Sequence, residues 1–130
     1  MNATLAAWQP RLLSLLRFMS GLLLLQHGCV KMFNFPGPRA AGVQFGNLLW
    51  FSGVIELACG VLLVLGLFSR PAAFLASGFT AVAYFMAHYP RGFYPILNGG
   101  ELAALYSFVF LYLTVAGAGP FSLDAKRGAA

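Results

Sequence analysis

Charge is what this sequence has least of. Of 130 residues, 8% are Asp, Glu, Lys or Arg, and only three are acidic. A soluble domain ordinarily carries about 25% charged residues. With 60% hydrophobic residues and a mean hydropathy of +0.80, too little polar surface remains to coat a globule in water. That excludes an ordinary soluble enzyme and points to a membrane protein. Cysteine is also sparse: Cys29 and Cys59 stand alone, inside apolar segments, with no CxxC spacing. There a free cysteine acts mostly as a small buried hydrophobe, so disulfide exchange lacks its motif. No haem, flavin or Fe–S motif is present, and no metal-ligand spacing. The net charge of +5 comes from basic residues scattered singly at the ends of apolar segments. This pattern suits membrane anchoring and topology rather than nucleic-acid binding.

What is there is long apolar runs. The segment Gly53 to Arg70, extended back to Asn47, supplies about twenty residues, enough to cross roughly 30 Å of hydrocarbon. We expect four spans, at about 12–32, 46–68, 71–89 and 98–117, in one domain covering residues 1–130. The fold expected is an all-α integral membrane four-helix bundle. Residues 1–10 read as a short polar lead with Trp8 at the interface. Arg17 and Lys31 interrupt the first apolar stretch and no A-x-A site follows, so it reads as a retained helix rather than a secretion signal. Ser69-Arg70-Pro71 reads as a tight turn, with Pro71 in the first turn of the next helix. Four spans place both termini on one side, with Arg11, Arg70, Lys126 and Arg127. The other side has Lys31, Arg39 and Arg91, so the balance favours cytoplasmic termini.

Each span carries a polar or small-residue stripe. On span one, Arg17, His27 and Lys31 fall within an arc of roughly 80°, with Gly21 and Gly28 on the same side. On span two, Ser52, Gly53, Cys59 and Gly60 lie near Glu56; on span three, Ser77, Thr80, Ala81, Tyr84 and His88 share a face. On span four, Asn98, Ala104, Leu105, Phe108 and Tyr112 lie near Glu101. These faces are expected to turn inward. Small residues allow close helix approach. Glu56 is the focus, because a mid-membrane carboxylate costs a few kcal/mol and needs a partner. His27, Lys31, Glu56, His88, Asn98 and Glu101 are expected to form one polar cluster in the outer half. The triplets Glu56-Leu57-Ala58 and Glu101-Leu102-Ala103 hint at two hairpins of similar design.

The chain resembles the DoxX family of small four-helix bacterial membrane proteins. The resemblance rests on Arg17, Gly21, Gly28 and Lys31 in span one, and on Gly53, Glu56-Leu57, Gly60, Gly66-Leu67 and Arg70 in and after span two. It continues through His88, Asn98-Gly99-Gly100-Glu101, and Gly119-Pro120 with Ser122-Leu123-Asp124, so it spans about residues 12–124. It implies the four-helix fold and association with a quinone-linked oxidoreductase, a thiol-oxidant defence complex, or membrane-protein assembly. Two functions follow. In the first, the chain is a quinone-interacting subunit: Glu56, Glu101 and His88 handle protons, Arg17, His27, Lys31 and Tyr84 hold the quinone, and a partner redox subunit supplies electrons. In the second, it is a non-enzymatic scaffold, assembly factor or chaperone. Arg17–Glu56 and Lys31–Glu101 or His88–Glu101 are then ion pairs that set helix register. A proton-coupled transporter is a third, more distant option. The glycine faces could serve the monomer or a homodimer.

Overall fold

The structure is a computed structural model describing residues 2–130. It is all-α, with no strand among the described residues. The elements are α1 (Ala3–Phe33), α2 (Leu48–Leu65), α3 (Ser69–Ala83), α4 (Pro95–Asn98), α5 (Glu101–Ala116) and α6 (Leu123–Lys126). The fifteen residues of α3 continue without a break into five of π-helix, Tyr84–His88, and then a short 3-10 turn. By length and composition, α1 and α2 could each cross a membrane; α5 is apolar but shorter.

Residues 3–10 are not a lead but the first turns of α1, which runs on through Pro10. The run Ala3-Thr4-Leu5-Ala6-Ala7 explains this, since alanine and leucine favour helix. The turn between α2 and α3 also lies earlier than Ser69-Arg70-Pro71. It is made by Gly66 and Phe68, both left-handed, and Ser69 already starts α3. Pro71 then sits in the first turn, where its missing N–H costs no helical hydrogen bond.

α1 packs along α2, and α3 along α5, with α2 and α3 joining the two pairs more sparsely. Glycine sets the first pairing. A Cβ on Gly60 would lie 2.7 Å from the Leu25 Cα, and one on Gly28 would lie 2.7 Å from the Leu57 nitrogen. The two backbones are therefore in direct contact, and the stripe of small residues on span one faces that of span two. The shared core is Leu24, Cys59, Leu63, Ala73, Tyr106 and Phe110, among others. Most of the large apolar side chains on the other faces, such as Leu15, Phe74, Phe85 and Phe108, point outward and are exposed. The molecule thus has an apolar exterior.

The C-terminal segment closes the end of the molecule at which α1 begins and α2 ends. Arg17, only 2% exposed, is the clasp. Its Nε donates to the Ala118 carbonyl at 2.8 Å and its Nη2 to the Phe121 carbonyl at 2.5 Å. Its Nη1 donates to the carbonyls of Leu63 and, at 3.1 Å, of Val64. Those last two belong to the final turn of α2, where unpaired carbonyls and the negative end of the helix dipole favour a cation. Arg70 does the same for α5, donating to the carbonyls of Thr114 and Val115.

Asp124 completes the closure. Its carboxylate accepts from the Phe68 N–H at 2.9 Å and the Ser69 N–H at 2.8 Å, capping α3 from a distant part of the chain. Its own N–H donates to the Gly66 carbonyl at 2.8 Å. Burial pushes this carboxyl up, but the hydrogen bonds from Ser69 and Phe68, with Arg127 nearby, outweigh it and hold it below the usual aspartate range. A lowered folded pKa means that the ionised cap stabilises the fold above the unfolded value, about 3.9. This stabilisation is lost as the pH falls through the folded value. We therefore expect the melting temperature in mild detergent to drop below about pH 4, and Asp124→Asn to be less stable at neutral pH but to show less of that acid drop. Parallel melting curves for the two proteins over pH 7 to 3 would contradict this assignment.

Candidate functional site

Between the two helix pairs lies a cleft of about 410 Å³. Its walls are mainly apolar, formed by Leu24 of α1, Ile55 of α2, Phe79 of α3 and Leu102 of α5. Polar groups enter it from every side: His27 and Lys31 from α1, Ser52 and Glu56 from α2, Thr80 and His88 from α3 and its π extension, and Tyr106 from α5. The exposed side chains Leu48 and Phe51 on α2, and Val82 and Met86 on the α3 segment, also line it. It therefore opens sideways between these two elements, onto the apolar exterior.

Glu56 is 6% exposed. Its Oε1 receives the Lys31 Nζ at 2.8 Å, and the same ammonium donates to Ser52 Oγ at 2.9 Å. Ser52 passes its own proton to the Leu49 carbonyl at 2.7 Å. Spacing explains this triad: Ser52 and Glu56 are four residues apart on one face of α2, opposite the last turn of α1, which carries Lys31. Glu56 Oε2 has no hydrogen-bond partner, and neither has the hydroxyl of Tyr106, also 6% exposed. Both atoms have under 1 Å² of accessible area and so lie behind the cleft wall, as does the unpartnered Ser69 Oγ elsewhere in the core, although most buried polar atoms are paired.

A second polar knot lies beside the cleft. Asn98, 2% exposed, donates from Nδ2 to the Gly92 carbonyl at 2.9 Å and to Tyr84 Oη at 3.2 Å, and accepts from the Gly100 N–H at 2.8 Å. The His88 ring nitrogen Nδ1 is 3.2 Å from the Asn98 carbonyl oxygen. A Cβ at Gly100 would come within 2.6 Å of the Tyr84 ring, so glycine is what lets the loop close on Tyr84 and His88. The π turn that holds these two side chains is a form often met at functional sites.

Of the residues expected at the site, the cleft brings together His27, Lys31, Glu56 and His88, with Tyr84 just behind it through Asn98. Glu101 and Arg17 do not join them. Glu101 begins α5, is exposed, and takes part in no ion pair. Among the described residues the ion pairs are Lys31–Glu56 and Arg127–Asp124, so the pairings Arg17–Glu56, Lys31–Glu101 and His88–Glu101 are not formed. Arg17 serves the opposite end. Span four also turns differently from expectation: Leu105, Phe108 and Tyr112 face outward, and α5 buries Tyr106, Phe110 and Leu113. A break at Gly99, whose left-handed backbone separates Asn98 in α4 from Glu101 in α5, also sets Asn98 apart from this stripe. The two residues therefore do not share one helical phase. A stripe drawn through Glu101 leaves Tyr106 out: at 100° per residue it stands roughly 140° round, whereas the structure exposes Glu101 and buries Tyr106. Both cysteines are free, Cys59 buried in the core and Cys29 half-buried.

No solved structure matches the chain. It is similar to a protein of Haemophilus influenzae described as uncharacterized, 43% identical over 127 residues, covering 94% of this chain and 95% of that one. The model of the DoxX family, whose members are membrane proteins, matches residues 12–89. That stretch holds most of α1, all of α2 and α3 and the π turn, and with them Arg17, Lys31, Glu56 and His88. The chain belongs to the DoxX family.

Proposed function

We propose that this protein is a multi-pass inner-membrane protein with four spans and cytoplasmic termini, whose cleft binds a quinone as part of a membrane redox complex. The four spans are α1, α2, the α3 segment with its π turn, and α5 with the turn before it. Their apolar outward side chains suit lipid and would not suit water. The observation that carries the functional reading is a mainly apolar cleft of about 410 Å³ that opens sideways and is lined by His27, Lys31, Glu56 and His88 from three helical segments. A planar ring bearing two oxygens fits such a slot, and its apolar tail can remain in the lipid.

Bound there, a quinone would supply two-electron, two-proton chemistry. The residues of this chain bind, orient and handle protons. Lys31, itself bonded to Ser52, holds Glu56 in place, His27 and His88 offer hydrogen bonds to the ring oxygens, and Ile55 and Phe79 keep water out. His27 and His88 line the same cleft and are placed to exchange protons with the site. Glu101, one residue beyond the Gly100 that packs on His88, is the proposed outer proton contact. Arg17 is left with the clasp rather than the quinone. Electrons come from a partner redox subunit. The alternative, a scaffold or assembly factor, is favoured by one feature: Lys31–Glu56 ties α1 to α2 and would set their register without any ligand.

Mass spectrometry of protein purified in mild detergent separates the two. The wild type and Arg91→Gln should carry co-purified quinone, and Glu56→Gln with His88→Ala should lose it while remaining folded. Folded wild-type protein that holds no quinone, even after quinone is added back, would point to the scaffold.

A further inference from the structure

We infer that the turn at Asn98 is a positioning device for His88: it fixes the imidazole with a proton on Nδ1 and so leaves Nε2 as a hydrogen-bond acceptor for a ring hydroxyl of the ligand. What concerns the ligand rests on the quinone reading above; what concerns the imidazole stands without it.

His88 Nδ1 lies 3.2 Å from the main-chain carbonyl oxygen of Asn98. A carbonyl only accepts, so this nitrogen carries a proton whether the ring is neutral or charged. In the neutral ring the other nitrogen then holds a lone pair, and the bond made by the first decides which nitrogen that is. Nε2 bonds to nothing in the protein, yet it is not one of the closed-off unpartnered atoms of the described residues, which are Glu56 Oε2, Ser69 Oγ and Tyr106 Oη. It is therefore open to a ligand, on a half-buried side chain that lines the cleft.

The carbonyl is itself held in place. The Asn98 side chain spends three hydrogen bonds on the turn, to Gly92, Tyr84 and Gly100, and its N–H donates to the Tyr94 carbonyl at 3.0 Å. The ring is held from two further sides. Tyr84 stacks on it, with centroids 6.4 Å apart and planes 24° from parallel. Gly100 packs so closely that a Cβ there would lie 2.7 Å from the His88 Cβ. The π turn, closed by the Tyr89 N–H on the Tyr84 carbonyl, carries both rings. His27, the other imidazole lining the cleft, is exposed and has no carbonyl partner of this kind. Only His88 is thus preset. Its free nitrogen needs a donor; a ring hydroxyl supplies one, whereas a ring carbonyl would meet it lone pair to lone pair.

The test is NMR of the imidazole nitrogens in the full chain, prepared with isotope-labelled histidine and purified in mild detergent. Spectra are recorded at about pH 9, well above the ordinary imidazole pKa of about 6.5, and His27→Gln identifies the His88 signals. The expected result is a single His88 tautomer, with the proton on Nδ1 and Nε2 bare. Asn98→Ala should populate both tautomers, a change that lost stability alone would not produce. Decylubiquinol, added anaerobically, should move the His88 Nε2 signal, and decylubiquinol with both ring hydroxyls methylated should not. Asn98→Ala should also weaken decylubiquinol binding about fivefold, the worth of one ordinary hydrogen bond. A His88 proton on Nε2 in the wild type would overturn the inference and leave the quinone cleft standing. Decylubiquinol that binds without moving the Nε2 signal would do the same. Folded wild-type protein that binds neither decylubiquinol nor decylubiquinone would overturn the quinone reading and the ligand role of His88 with it. The wild-type spectra decide the question if Asn98→Ala fails to fold.

Discussion

Replacing Arg17 with methionine is expected to destabilise the protein by about 3 kcal/mol or more, and to free the C-terminal segment from Gly117 onward. The guanidinium is 2% exposed and donates to four backbone carbonyls, Leu63, Val64, Ala118 and Phe121. Hydrogen bonds to a charged group contribute roughly 1.5–3 kcal/mol each, and those made by one side chain are not additive. Methionine fills much of the space but leaves those carbonyls without this donor. Arg17→Lys should fall between, because a single ammonium cannot match the planar fork that reaches both the end of α2 and the C-terminal segment. Unfolding in a detergent titration gives the free energy, and limited proteolysis reports release of the segment. A loss below about 1 kcal/mol, the size of an ordinary exposed contact, would remove Arg17 from the role of clasp.

The second large effect belongs to Lys31. Lys31→Met removes the cation bonded to Glu56, the only ion-pair partner it has among the described residues, and leaves its buried carboxyl without that pair. Removing one member of a buried pair typically costs about 3–5 kcal/mol. Glu56→Gln should cost less on its own, since a neutral amide avoids the desolvation of a charge. The double variant, Lys31→Met with Glu56→Gln, should recover part of the stability lost by Lys31→Met alone. A double-mutant cycle read by the same unfolding titration measures this coupling. Additive losses would mean that the two side chains do not depend on each other. The cycle also bears on function: a stable double variant that no longer retains quinone would separate the ligand role of the pair from its role in packing.

Much of the fold and part of the site can be read from the chain alone. Few charges and long apolar runs dictate helices with apolar exteriors. The glycines of spans one and two, at helical spacing with Arg17, Lys31 and Glu56, mark the faces on which α1 and α2 meet, and those faces are buried as expected. The burial of Glu56 follows from its place within an unbroken apolar run. The fourth span was less legible, because it is apolar all round and gives no clear inward stripe. The two glycines before it also break the helical phase that linked Asn98 to Glu101.

The sequence by itself determined the all-helical architecture, the small-residue faces by which α1 and α2 turn inward and the burial of Glu56 among small residues. Only the tertiary structure decided which cation serves Glu56, that Tyr106 rather than Glu101 faces the cleft, and that Arg17 and Asp124 bind backbone at the far end. The physical reason is the nature of the partners. A face pattern arises from neighbours along one helix and is written in spacing. Arg17 and Asp124 satisfy carbonyls and N–H groups that every residue possesses, so their partners leave no mark in the side chains and emerge only when distant helix ends are brought together.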